Sequence, residues 1–146
     1  MNVRVKGGTK SKQKHVKSMV EFIANKLMPR IKDLDIKVKF KDLSNSDAYG
    51  FCLSNSDGND SRCDRPRTFE IELHSKMKLR RTLEVLAHEM IHVKQYVRNE
   101  LKDEGLTVFW KGEDCSKIAY SKQPWEVEAY TLQGRYSIDF WESGIL

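Results

Sequence analysis

The chain has 146 residues, of which 39% are hydrophobic and 32% charged, with a formal net charge of +5 at pH 7. That length suits one domain with a sizeable core, and no apolar run approaches the roughly 20 residues that a membrane-spanning helix needs. Three cysteines, Cys52, Cys63 and Cys115, make an odd set that argues against a disulfide framework. The N-terminus lacks the apolar region of a signal peptide, so the expected compartment is the cytoplasm.

Charge is unevenly placed. Met1–Lys41 carries 12 Lys and Arg against 3 acidic residues, a balance of +9, and the remainder carries 14 against 18, a balance of −4. Residues 1–12 read as a basic flexible arm ahead of a single domain over 13–146. Such a basic region could meet nucleic acid or an acidic partner, although a solvated tail and helix face explain the same charges. No aromatic residue precedes Phe22, so a stacking platform for single strands is missing there.

Val16, Met19, Val20, Ile23 and Leu27 then recur at helical spacing, and Pro29 helps to end that helix. "IKVKF", Ile36 to Phe40, alternates apolar and basic residues as a half-buried strand does. "AYGFCLS" predicts a second strand and "SNSDGNDSRCDRP" a polar loop. Within that loop, Asp57 to Asp64 spaces oxygen side chains like a calcium loop. However, Arg62 stands where glycine is required, and no bidentate glutamate closes the set. "TFEIELH", Thr68 to His74, alternates again, with Phe69, Ile71 and Leu73 on one face and Glu70, Glu72 and His74 on the other.

A long helix follows, from about Thr82 to Arg98. Asp103 to Gln123 reads as loop or a short hairpin, with "FWKGED" (Phe109 to Asp114) as a flap or a loop anchored by Trp110. Pro124 opens a last helix over Trp125 to Trp141, whose Trp125, Tyr136, Phe140 and Trp141 are expected in the core. The order of elements gives an α+β fold: an N-terminal helix, a small three-stranded mixed sheet and two further helices.

The chemistry concentrates in "LAHEMIHVKQY", Leu86 to Tyr96. On a wheel at 100° per residue, Leu83, Leu86, Ala87, Met90, Val93 and Val97 share one broad face. His88 and His92 lie about 40° apart on nearly the opposite face, flanked by Glu89 and Tyr96. Two histidines at i and i+4 reach one metal ion from adjacent turns. A charged helix face with two titrating imidazoles is the competing reading. A catalytic zinc site needs a third protein ligand, and downstream "PWEVEAY" offers Glu126 and Glu128. These point about 160° apart, so only one can face the metal, and the wheel does not choose between them.

"HEMIH" followed by "EVEAY" resembles the gluzincin metallopeptidases, whose small single-domain members include minigluzincins and SprT-like proteins. In that clan the third ligand is a glutamate in a Glu-x-x-Ala-Asp pattern on a later helix. Glu126 matches the glutamate and Ala129 the alanine, while Tyr130 stands where aspartate is usual. The resemblance implies a minimal zincin-like domain with one Zn2+ per chain held by His88, His92 and Glu126. It implies Glu89 as general base and a peptide or protein substrate extended along an edge strand, Thr68–His74. A donor must also stabilise the oxyanion. Tyr120, Tyr130, Tyr96 and His74 are candidates, and Tyr120 is favoured for its place in the loop before the ligand helix, where an anchoring ring is an equal reading. SprT-like enzymes cut proteins bound to DNA, so the basic region would suit either such an enzyme or a nucleic-acid-associated binding protein with a structural or lost metal site.

"GFCLS" resembles a segment of peptide deformylases, in which a cysteine ligates the metal; Cys52 would take that part in a deformylase-like metal hydrolase. "HEMIH" lacks the aspartate that those enzymes carry before the second histidine, and Cys52 is more simply a small buried strand residue.

Overall fold

The computed structural model describes residues 1–54, 65–104 and 106–144. Its first strand, β1 (Asn2–Lys6), falls inside the segment expected to be a flexible arm. Val3 and Val5 turn toward the core while Asn2, Arg4 and Lys6 stay exposed. β1 pairs in parallel with β2 (Asp35–Lys41), from Asn2 opposite Asp35 to Lys6 opposite Lys39. The basic residues at the start of the chain therefore belong to a sheet. Parallel pairing with a strand some thirty residues on leaves no local signal beyond two valines.

α1 (Lys10–Leu27) connects these strands. Thr9 caps it, its hydroxyl accepting from the Lys12 amide at 3.1 Å, which satisfies one of the free N–H groups of the first turn. Val16, Met19, Val20 and Ile23 are buried, as their spacing requires, and Leu27 is half-buried. Met28 leaves the helical conformation (φ −140°, ψ 55°) just before Pro29, because proline disfavours a helical residue ahead of it.

β3 (Gly50–Ser54) and β4 (Thr68–His74) complete a four-stranded mixed sheet in the order β1–β2–β4–β3, one strand more than the three expected. β4 runs parallel to β2 and antiparallel to β3. Thr68–His74 is thus hydrogen-bonded on both sides, and the edge is Gly50–Ser54. This corrects the placement of the substrate edge on Thr68–His74. Alternation misleads here because the helices cover only one face of the sheet. Phe69, Ile71 and Leu73 lie beneath them. On the open face Glu70 and Glu72 reach Lys39 and Lys41 at 3.0 and 3.7 Å. An inner strand then reads like an outer one.

α2 (Leu79–Val97) packs Leu83, Leu86, Ala87, Met90 and Val93, all fully buried, into the core. It ends in a Schellman motif. Asn99 takes a left-handed conformation (φ 57°), the Glu100 amide donates to the Gln95 carbonyl at 2.9 Å, and the Asn99 amide donates to that of Tyr96 at 3.1 Å. β5 (Leu101–Glu104), β6 (Thr107–Trp110) and β7 (Glu113–Asp114) form a small antiparallel sheet. "FWKGED" contains its second turn, where Lys111 and Gly112 both have positive φ (50° and 87°), as a two-residue turn between twisted strands demands.

A 3-10 turn, Tyr120–Lys122, leads into α3 (Pro124–Glu142). Trp125, Ala129 and Phe140 are buried and Tyr136 packs on the core. Trp141 instead faces outward, 39% exposed, with the Arg80 guanidinium 5.1 Å from its ring; one step past Phe140 turns it by about 100°. Among the described residues no helix is long and apolar enough to cross a membrane. Asp57 to Asp64, with its calcium-like spacing and Cys63, lies outside the described residues.

Candidate metal centre

The apolar stripe of α2 fixes which way the rest of that helix points. With Leu86, Met90 and Val93 locked into the core, His88 and His92 turn toward α3, 8% exposed each. α3 crosses there and delivers Glu126 from its first turn. The Glu126 carboxylate lies 3.0 Å from His92 Nε2 and 3.1 Å from His88 Nε2, and the two Nε2 atoms are 3.2 Å apart. Among the described residues, His88, His92 and Glu126 are the donors that gather, with ligand atoms within 4.8 Å of one another. Two imidazoles and one carboxylate make a three-ligand nitrogen and oxygen set, which suits zinc with a position left for water or substrate.

Glu128 goes elsewhere. Its carboxylate accepts from Lys94 Nζ at 2.6 Å and Gln95 Nε2 at 3.1 Å, and Lys94 also reaches Glu100 at 2.7 Å. Geometry therefore separates the two acids that the wheel left equal. Cys52 sits on the inner face of β3 but outside the donor cluster, so the deformylase-like arrangement is not formed. Burial and then the Glu89 charge push its thiol well up, so it stays protonated.

Both imidazoles are held from behind. His88 Nδ1 lies 2.7 Å from Gln133 Oε1, and His92 Nδ1 lies 2.8 Å from Gln95 Oε1. Tyr130 makes no such bond. Its ring packs edge-on against His88 with centroids 4.6 Å apart, and Gln133, one turn along α3, supplies the acceptor instead. Gln95 and Gln133 were not foreseen from the sequence. A polar residue three places after His92, and another seven after Glu126, was the only trace of them.

Glu89 is buried, 6% exposed, and lines the same cleft. Desolvation raises its carboxyl, and His92 and His88 partly oppose that rise. Burial alone would likewise raise Glu126, but the bonds from His88 and His92 outweigh it and hold the carboxyl well below its ordinary range. Burial would lower His92; the Glu126 hydrogen bond and the Glu89 charge reverse this and raise it.

The cleft has two lobes that share Ala48, Gly50, Phe51, His88, Glu89 and Tyr120. The larger, about 640 Å³, extends past Arg81, Tyr130 and Gln133. The smaller, about 270 Å³, is bounded by Cys52, Tyr96, Leu101 and Trp125. β3 borders both. It comes so close that a Cβ on Gly50 would lie 2.7 Å from Val85 Cγ1 and 3.3 Å from Glu89 Oε1. Of the donor candidates, Tyr120 comes nearest the donors: its hydroxyl donates to Glu126 Oε2 at 3.1 Å and lies 3.2 Å from the Tyr130 hydroxyl. Burial first, then Tyr130 and Glu126, push the Tyr120 hydroxyl well up, so it remains a donor. Tyr96 lines only the smaller lobe. His74 lines neither: it is buried at the end of β4 and its Nδ1 accepts from the Leu43 amide at 3.0 Å.

Comparison with known proteins finds no matching family model, no matching curated protein and no matching solved structure.

Proposed function

We propose that the chain is a zinc-dependent endopeptidase acting on extended peptide. One observation carries the reading: His88, His92 and Glu126 meet from two helices while Glu89 lies buried beside them under a strand edge that is unpaired among the described residues. Zinc, held by those three residues, supplies Lewis acidity that activates water near neutral pH. Glu89 takes the proton of the attacking water and hands it to the leaving amine. Desolvation raises its carboxyl, which makes it a stronger base toward the water than an exposed glutamate. The Tyr120 hydroxyl donates to the developing oxyanion, and Tyr130 holds that hydroxyl in place. Substrate adds as a strand along Gly50–Ser54, through the backbone groups β3 leaves unpaired.

A cytoplasmic location goes with this reading; the described cysteines, Cys52 and Cys115, are free thiols. The test is proteolysis of an unfolded protein substrate, with metal content measured in the same preparations. Glu89→Gln is expected to keep its zinc and lose about 10²–10⁴-fold in turnover. Undiminished cleavage by that variant, or a purified protein that takes up no zinc, refutes the reading.

A second reading, a nucleic-acid-associated binding protein, draws on the exposed Arg4 and Lys6 of β1 and Lys10, Lys14 and Lys17 of α1. It is favoured if DNA affinity falls steeply with salt and is the same in Glu89→Gln.

A further inference from the structure

We propose that Gln95 and Gln133 are positioning residues of the metal centre, fixing both ligand imidazoles through neutral amide oxygens; this rests on the metal reading above. The orientation of each amide follows from what faces its nitrogen. Gln95 Nε2 donates to the Trp125 carbonyl at 3.0 Å and to Glu128 Oε1 at 3.1 Å. Both of these groups only accept, so the Gln95 oxygen must face His92. Gln133 Nε2 points at Glu84 Oε1, 3.4 Å away, which turns its oxygen to His88. An amide oxygen cannot donate, so His88 and His92 each carry a proton on Nδ1. That leaves Nε2 as the nitrogen each ring turns toward Glu126, and the proton through which it meets that carboxylate is the one a metal ion would displace.

Gln95 does more than orient one ring. It is fully buried and joins His92 to the backbone of Trp125, the neighbour of Glu126. One side chain thus sets the His92 tautomer and the height at which α3 presents its carboxylate. Glu128 and Lys94 complete the brace, with Lys94 bonded to both Glu128 and Glu100. The amides are uncharged. A carboxylate behind each histidine would add negative charge to the site and make the rings more basic. With amides, Glu126 is the only charged ligand, and a bound dication keeps more of its electrophilic character.

Gln133 is half-buried and, among the described residues, its side chain bonds His88 and Glu84 alone, so its replacement leaves the core intact. The test measures zinc affinity by chelator competition, alongside the visible absorption of the cobalt-loaded protein. Gln133→Met removes the acceptor at similar size and is expected to weaken zinc binding about 10–100-fold and to change the cobalt spectrum. Gln133→Glu restores an acceptor and is expected to recover the affinity. Unchanged affinity and spectrum in Gln133→Met, or equal losses in the Met and Glu variants, overturn the proposal while the metal reading stands. An unmodified protein that binds no zinc sinks both. Gln95→Met is the companion variant and should lose affinity together with thermal stability; a stability loss without an affinity loss removes Gln95 from the assignment.

Discussion

Glu126 and Glu128 are two residues apart on the first turn of α3, and they end in opposite kinds of site. Glu126 lies between two imidazoles that are themselves held by amides, and it faces a cleft. Glu128 lies against a primary amine and an amide nitrogen, at the join between α2, α3 and the turn into β5. The first arrangement gathers three groups that can each offer an electron pair to one point, with no lysine or arginine bonded to Glu126 among the described residues. The second already contains its cation, Lys94, and is complete without a guest. On the proposed reading, a carboxylate serves as a ligand where its neighbours can also offer electron pairs, and as a brace where a lysine supplies the positive charge.

Removing each acid in turn tests that contrast most directly. Glu126→Ala is expected to cost more zinc affinity than the roughly 10–100-fold that accompanies loss of an outer partner. Glu128→Ala should stay within that outer range. Chelator competition on both variants decides it, and the reverse order would exchange their roles. Next in size is the strand lying over the base. Gly50→Ala pushes a methyl group into Val85 and against Glu89, and is expected to lower stability by about 1–3 kcal/mol in a denaturant melt. Zinc content should not change, because none of the three atoms nearest the added methyl belongs to a proposed ligand.

The smallest effect separates the brace by its pH dependence. Burial would raise the Glu128 carboxyl, but the Lys94 and Gln95 bonds outweigh it and lower it from its ordinary 4.5. A depressed carboxyl stabilises the fold above its unfolded value and loses that contribution as pH falls through its folded value. Glu128→Gln should therefore cost stability near neutrality, about 1 kcal/mol after allowance for partial exposure. Its melting temperature should converge with that of the unmodified protein as pH drops below 4.5. Parallel curves at all pH values would show that the charge of Glu128 contributes nothing.

Much of this arrangement can be read from the residues alone. The two long helices that carry the site announce themselves because each buries one stripe, and the stripe of α2 dictates that His88 and His92 share the other side. Pro124 marks where α3 starts. Topology is harder. The alternation of Thr68–His74 reports that one face is covered, and says nothing of what pairs along the strand's two sides. Strand order therefore stayed hidden, and the edge moved to Gly50–Ser54. β1 was hidden for a related reason: its partner is remote, and its lysine and arginine read as tail. Only the resemblance chose Glu126 over Glu128; from the residues themselves the choice needed the crossing of α2 and α3, which no wheel contains. Gln95 and Gln133 act through the same crossing and were invisible before it was known.

β3 also sets a limit on how the molecule is handled. Sheets commonly protect a terminal strand with charge or proline, and "GFCLS" contains neither, while Phe51 and Leu53 stand 37% and 51% exposed. Among the described residues nothing pairs with the outer side of β3, so the backbone proposed to take substrate is equally open to that of a second molecule. Mutual repulsion from the net charge of +5 opposes self-assembly. It fades with ionic strength, to a reach of about 8 Å at physiological salt, so crowded, salty solutions are where aggregation begins.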